Sequence, residues 1–126
     1  MNSKQLIELT KEFIHNATHY NMDYLDNVYS DKLVIVRVDE TGKVDTTTKP
    51  ELLKFFQQMH DDKAAPLSEQ AVFYHAVADD NLALVVLERT MDLYGRMEKM
   101  FFTLVWERIA DHWHVVKESV VVMQVL

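Results

Sequence analysis

Two cations in apolar company have the clearest chemical potential in this chain. Arg89 lies in the run from Leu82 to Met91, and Lys117 follows the run from Trp113 to Val116. Both runs are rich in β-branched and apolar residues, so each reads as a strand with one face turned to a core. Strand parity places both charges on the apolar face, and a buried charge is costly unless it is paired. One outcome is a pocket whose cations bind an anionic group, most simply a carboxylate. The other is pairing inside the chain, with a helix carboxylate or a chain-end turn. The candidate ligand-binding set is Tyr20, Tyr24, Tyr74, Arg89, Phe102, Trp106, Lys117 and Ser119. Aromatic walls with a few polar groups are what small-molecule sites look like. The same aromatics also serve simply to fill a core.

Proton-transfer chemistry needs a carboxylate or histidine that reaches such a pocket. None falls on the inward face of the four long strands. Asp23, Asp26 or His15 on the helices, or Asp45 on a short hairpin, would have to reach in. A solvated side chain is the simpler reading of each. Glu88, Thr103 and Glu118 fall in one row on the opposite face, with His75 and His114 nearby. Cross-strand hydrogen bonds and dimer contacts explain that row better than a catalytic or metal-binding carboxylate pair. The six histidines show no HExxH spacing, and the close pair His112 and His114 brackets a turn, so no metal site is expected. Gly42 and Gly95 are the only glycines, too few for a nucleotide-binding loop, and no cofactor is expected.

The elements that must position these residues follow from pattern and punctuation. Four strands in a row run from Glu69 to Val122, turned at Asp79-Asp80-Asn81, Tyr94-Gly95-Arg96 and Ala110-Asp111-His112. Before them, Asn2 or Ser3 caps a helix with the stripe Leu6, Leu9, Phe13 and Ala17. Asn21 caps a second, shorter helix that ends at Ser30-Asp31. Lys32 to Val38 is a strand, Asp39 to Gly42 a turn, and Lys43 to Thr47 the return strand. Thr48, Pro50 and Glu51 then open a third helix that ends near His60. This order is α+β, with helices and a short hairpin covering one face of a sheet.

Counting back from the turns assigns the faces. The inner face carries Val72, Tyr74 and Ala76, then Ala83 through Met91 at every second residue. It continues with Met100, Phe102, Leu104 and Trp106, then Trp113, Val115, Lys117 and Ser119. The outer face mixes polar groups with Phe73, Val86, Phe101, Val105, Val116 and Val120. That is too apolar for a free surface and predicts a homodimer, sheet against sheet.

Composition bounds the rest. The 126 residues are read as a single domain, 1–126, and 48% of them are apolar, as in an ordinary globular protein. The formal net charge of -7, from 20 acidic and 13 basic residues, argues against nucleic acid as a partner. No apolar run approaches the roughly 20 residues of a membrane span. The N-terminus runs straight into a polar-faced helix, so no leader peptide is expected. With no cysteine present, a disulfide or thiolate site is excluded, and a reducing, cytoplasmic setting is the expectation.

Leu25 to Asp31, the helix opening Lys49-Pro50-Glu51-Leu52, and Asp80 to Val85 carry a further signal. The closing segments Leu104 to Arg108 and His112 to Val116 add the most. With these, essentially the whole chain resembles the nuclear transport factor 2-like superfamily, in its polyketide-cyclase-like (SnoaL-like) and ketosteroid-isomerase-like branch. Asp111 departs from the glycine usual in relatives, and Lys117 and Ser119 stand where relatives often carry histidine. The resemblance implies a cone-shaped half-barrel: helix, helix, hairpin and helix, then a four-stranded antiparallel meander curved around the helices. It implies an enclosed pocket, commonly in a dimer, and a small-molecule-binding protein. Its alternatives are an isomerase or dehydratase acting by proton transfer and a non-catalytic dimerisation module, because the fold alone does not select among them.

Overall fold

The computed structural model describes residues 1–126. Helix α1 (Ser3–Thr18) opens with the capping box read from its sequence. Asn2 Oδ1 accepts from the Gln5 backbone N–H at 2.8 Å, and Gln5 Oε1 accepts from that of Asn2 at 2.9 Å. Its stripe of Leu6, Thr10, Phe13 and Ile14 is buried. Helix α2 (Met22–Val28) lacks the expected Asn21 side-chain cap; that amide instead donates to Asn16 Oδ1 at 2.8 Å. Helix α3 (Lys49–Asp61) opens on the Thr48–Glu51 box with Pro50 in its first turn.

Six strands form one sheet: β1 (Tyr29–Val38), β2 (Val44–Thr48), β3 (Ala71–Ala78), β4 (Leu82–Asp92), β5 (Met97–Ile109) and β6 (His112–Val125). Their order is β2-β1-β6-β5-β4-β3. The β1–β2 hairpin therefore extends the sheet and does not lie over its face, which corrects the sequence expectation. β1 runs parallel to β6 and satisfies the backbone edge that β6 would otherwise leave open. The helices fill the concave side, where Leu6, Phe13, Leu25, Leu87, Leu104, Trp106 and Val115 form one core. The α+β cone expected from the sequence is the architecture found. No helix is long and apolar enough to cross a membrane.

The turns hold with one slip. Ile109 pairs with His112, so Ala110 and Asp111 form a two-residue hairpin with positive φ values of 50° and 65°. Such turns suit a right-twisted ribbon, and Asp tolerates the left-handed conformation. Between β4 and β5 the loop is longer than expected, since Asp92 pairs with Met97. Leu87 consequently meets Phe102 and not Leu104, but a two-residue slip leaves every side chain on its face.

Two bulges do change faces. On β6, Trp106 pairs with Val115 while Val105 pairs with Lys117, leaving Val116 as an extra residue. Beyond it Glu118, Val120 and Val122 are buried, and Lys117 is exposed. On β3, His75 pairs with Val86 and Phe73 with Leu87, so Tyr74 is the extra residue. Phe73 then packs on the core, while Val72 and Tyr74 face solvent. Each bulge moves large apolar side chains inward. On β6 it also carries a carboxyl group in with them.

Candidate functional site

A cavity of about 510 Å³ lies between the concave sheet, α1 and α3. Phe13, Ile14, Leu52, Phe56, Leu87, Met100 and Phe102 give it an apolar wall. Among the polar side chains that interrupt that wall are Tyr29 from the start of β1, Arg89 from β4 and Glu118 from β6.

Glu118 is 7% exposed, and burial pushes its carboxyl up to about 7, against a smaller opposing pull from the Arg89 charge. No hydrogen bond or contact ion pair holds it, so nothing in the chain satisfies its oxygens. Tyr29 is 3% exposed, and burial, followed by the nearby Glu118 charge, raises its hydroxyl well above the ordinary phenol range. It stays a proton donor at any physiological pH. Arg89 is anchored by neutral partners: Nε donates to Gln70 O at 3.1 Å and Nη2 to Ser68 O at 2.6 Å. Burial lowers its pKa, and the charges of Glu118 and Glu69 work against that fall. The guanidinium also sits 6.0 Å from the centre of the Phe102 ring.

A charged network borders the cavity where Arg37, Asp39, Asp45 and Arg96 line it. Glu98, fully buried, accepts from Arg37 Nη2 at 2.9 and 2.7 Å through its two oxygens and from Arg96 Nε at 3.0 Å. Arg96 reaches on to Glu40, and the Arg37 guanidinium lies 4.8 Å from the Tyr94 ring centre. These contacts tie β1 and the turn after it to the β4–β5 loop and β5.

Of the ligand-binding set read from the sequence, Arg89 and Phe102 line the cavity. The other six do not. Trp106 is wholly buried core, 5.6 Å from the Phe13 ring at 79°, with its Nε1 unpartnered. Tyr20 donates its hydroxyl to Ala65 O at 2.9 Å, and Tyr24 is half-buried outside the wall. Tyr74 is exposed on the outer face and donates to Glu88 Oε1 at 3.0 Å. Lys117 is exposed and Ser119 half-buried on that same face. The β3 and β6 bulges are the reason for the last three. Among the acids suggested for proton transfer, Asp45 borders the cavity, while Asp23, Asp26 and His15 are exposed.

Sequence reasoning named Glu118 but set it on the outer face and expected no carboxylate on the inward one, which the β6 bulge overturns; Tyr29 it did not name for the site. A signal for Glu118 existed. Val115 has odd parity and Val120 and Val122 even parity, so all three can face one core only if the strand holds an extra residue.

No family model matches the chain, and no curated protein matches its sequence. Solved structures do match in shape. An NTF2-like protein from Cytophaga hutchinsonii superposes with a TM-score of 0.75 at 16% identity, over 98% of this chain and 100% of that one. This chain has the NTF2-like fold. An NTF2-like protein of unknown function from Silicibacter pomeroyi agrees, with TM-score 0.72, 14% identity and 97% and 99% coverage. So does a Thiobacillus denitrificans protein named for the calcium/calmodulin-dependent protein kinase type II association domain, with TM-score 0.64, 14% identity and 89% and 90% coverage. An NTF2-like fold supplies the cone and its cavity; the chemistry rests on the side chains inside.

Proposed function

We propose that the cavity binds a small, largely apolar molecule bearing an oxygen function, and that Glu118 transfers a proton on it. The observation that carries this is the Glu118 carboxyl, buried in the cavity wall, unbonded, and poised to titrate near 7. A general acid–base works best with a pKa near the ambient pH, because both forms are then populated. Removing a proton beside a carbonyl puts negative charge on the oxygen. The Tyr29 hydroxyl and the Arg89 guanidinium are the groups that offset such charge in a dry site. An isomerase or dehydratase class follows. The test is proton–deuterium exchange, by NMR in heavy water, at the carbon beside the carbonyl in a panel of hydrophobic ketones. Glu118→Gln should slow exchange about 100- to 10,000-fold. Equal exchange rates in the two proteins would sink the reading.

A second reading, a non-catalytic carrier of hydrophobic carboxylates, is favoured by the buried guanidinium of Arg89. Under it, Arg89→Met loses binding of anilinonaphthalene sulfonate while Glu118→Gln does not.

The outer sheet face is proposed to pair with a second copy of the chain. Val72, Tyr74, Val121 and Met123 are exposed there, and Tyr74 packs edge-on against Phe101 at 5.6 Å. The Thiobacillus neighbour's name includes an association domain, which accords with such use of the fold. A cytoplasmic setting is part of the same proposal, supported by the absence of cysteine.

A further inference from the structure

We propose that His15, His19 and Glu69 bind a zinc-class divalent metal ion on the outside of the cavity wall, and that the ion clamps α1 to the segment before β3. His15, in the last turn of α1, and His19, the residue that caps its C-terminus, are four apart with ring centres 4.3 Å apart. Glu69 comes from the segment that enters β3, more than fifty residues away. Candidate donor atoms of all three lie within 4.8 Å of one another. Sharing one tetrahedral ion requires these exposed side chains to draw closer.

The ring orientations favour ligation. His15 Nδ1 lies 2.8 Å from Glu69 Oε1, and His19 Nδ1 lies 2.8 Å from His15 O. A carbonyl only accepts, so His19 Nδ1 carries the proton and its Nε2 keeps a lone pair. Holding Nδ1–H by a carbonyl is how metal-binding histidines are oriented. Between His15 Nδ1 and Glu69 the ion takes the place of the shared proton, which is released to solvent. Two imidazoles and a carboxylate, without thiolate, suit zinc and its neighbours, whereas calcium and magnesium prefer oxygen alone. All three residues are exposed, so an ion reaches them directly from solvent.

The site also has a structural lever. Glu69 sits between Ser68 and Gln70, whose carbonyls hold Arg89. On the helix side, Thr18 O accepts from Leu67 N–H at 3.1 Å, and Ala17, Thr18 and Leu67 line the cavity. An ion here ties the two chain segments that form this wall and fixes the carbonyl pair under Arg89. The inference is independent of the proton-transfer reading.

The test is isothermal titration of zinc chloride into EDTA-treated protein, followed by hydrogen exchange of residues 67–70 with and without zinc. The wild-type chain should take up one ion and show slower exchange in that segment. Glu69→Gln removes a charged ligand, so its loss of affinity should exceed the roughly 10- to 100-fold of a lost orienting partner. His19→Ala should abolish both effects, and His112→Ala should change neither. Because every substituted side chain is exposed, the variants should fold, and circular dichroism checks this. Absence of zinc uptake by the wild type, or uptake by His19→Ala equal to the wild type, overturns the site. Uptake without slower exchange at 67–70 overturns the clamp.

Discussion

Arg89 and Glu118 point to the same concave face of the sheet without forming a contact ion pair. Glu118 is in row with Leu104 on β5, whereas Arg89 is in row with Met100. The two charges are therefore diagonal across β5. Their attraction is too weak to cancel the cost of burying the carboxylate, and Glu118 titrates near 7.

That offset makes stability depend on pH. The fold raises the Glu118 pKa from its ordinary 4.5 to about 7, so the folded chain holds this proton more tightly than the unfolded one. The contribution is fully present below about pH 4.5 and is lost as pH rises through about 7. The loss amounts to about 3 kcal/mol. Urea unfolding should show this decline in the wild type. Glu118→Gln should lack it and should be the more stable protein above neutrality.

Arg89→Met removes the one charge that pulls the Glu118 pKa down. The fall of stability with rising pH should then extend to higher pH, as should the acid limb of any Glu118-dependent exchange rate. The substitution also strands the Ser68 and Gln70 carbonyls, at about 1–3 kcal/mol for a group left unsatisfied. Parallel urea titrations of the two proteins measure both effects.

Lys117→Ala should be nearly silent, within about 0.5 kcal/mol, because its side chain is in solvent. It should leave ligand binding untouched. A large loss of binding in this variant would contradict the β6 bulge.

Glu98→Ala leaves Arg37 without its two-oxygen partner, in a side chain that is 18% exposed. Removing one partner of such a buried pair should cost about 3–5 kcal/mol. Arg96→Ala, which breaks the exposed pair with Glu40 and the Arg96 contact to Glu98 but leaves Glu98 paired with Arg37, should cost less. Thermal unfolding of the two variants ranks them.

The proposed pairing of outer faces predicts dimers in sedimentation at micromolar concentration. Phe101→Glu should convert them to monomers without changing zinc uptake or the cavity. A wild-type chain that sediments only as monomer rules the pairing out.

The local signals in this chain were strong enough to read one element at a time. The capping boxes at Asn2 and Thr48, the apolar stripe of α1 and the Ala110-Asp111 turn are written in residues three or four apart. So is the alternation of β4, which carries Arg89 and Met91 inward. From these the α+β order follows, because each element's preference is met within its own segment. What the strand's neighbours decide is different in kind. Whether Val116 and Tyr74 stand in the ladder or bulge from it depends on how much apolar surface each choice buries against helices far away in sequence. Packing chose to bury Phe73, Val120 and Val122, and so turned Lys117 out and Glu118 in. The parallel contact of β1 with β6, the drop of Arg89 onto the Ser68 and Gln70 carbonyls, and the meeting of Glu69 with His15 of α1 are likewise long-range. No spacing rule reaches them, since they exist only once the sheet has curved around the helices.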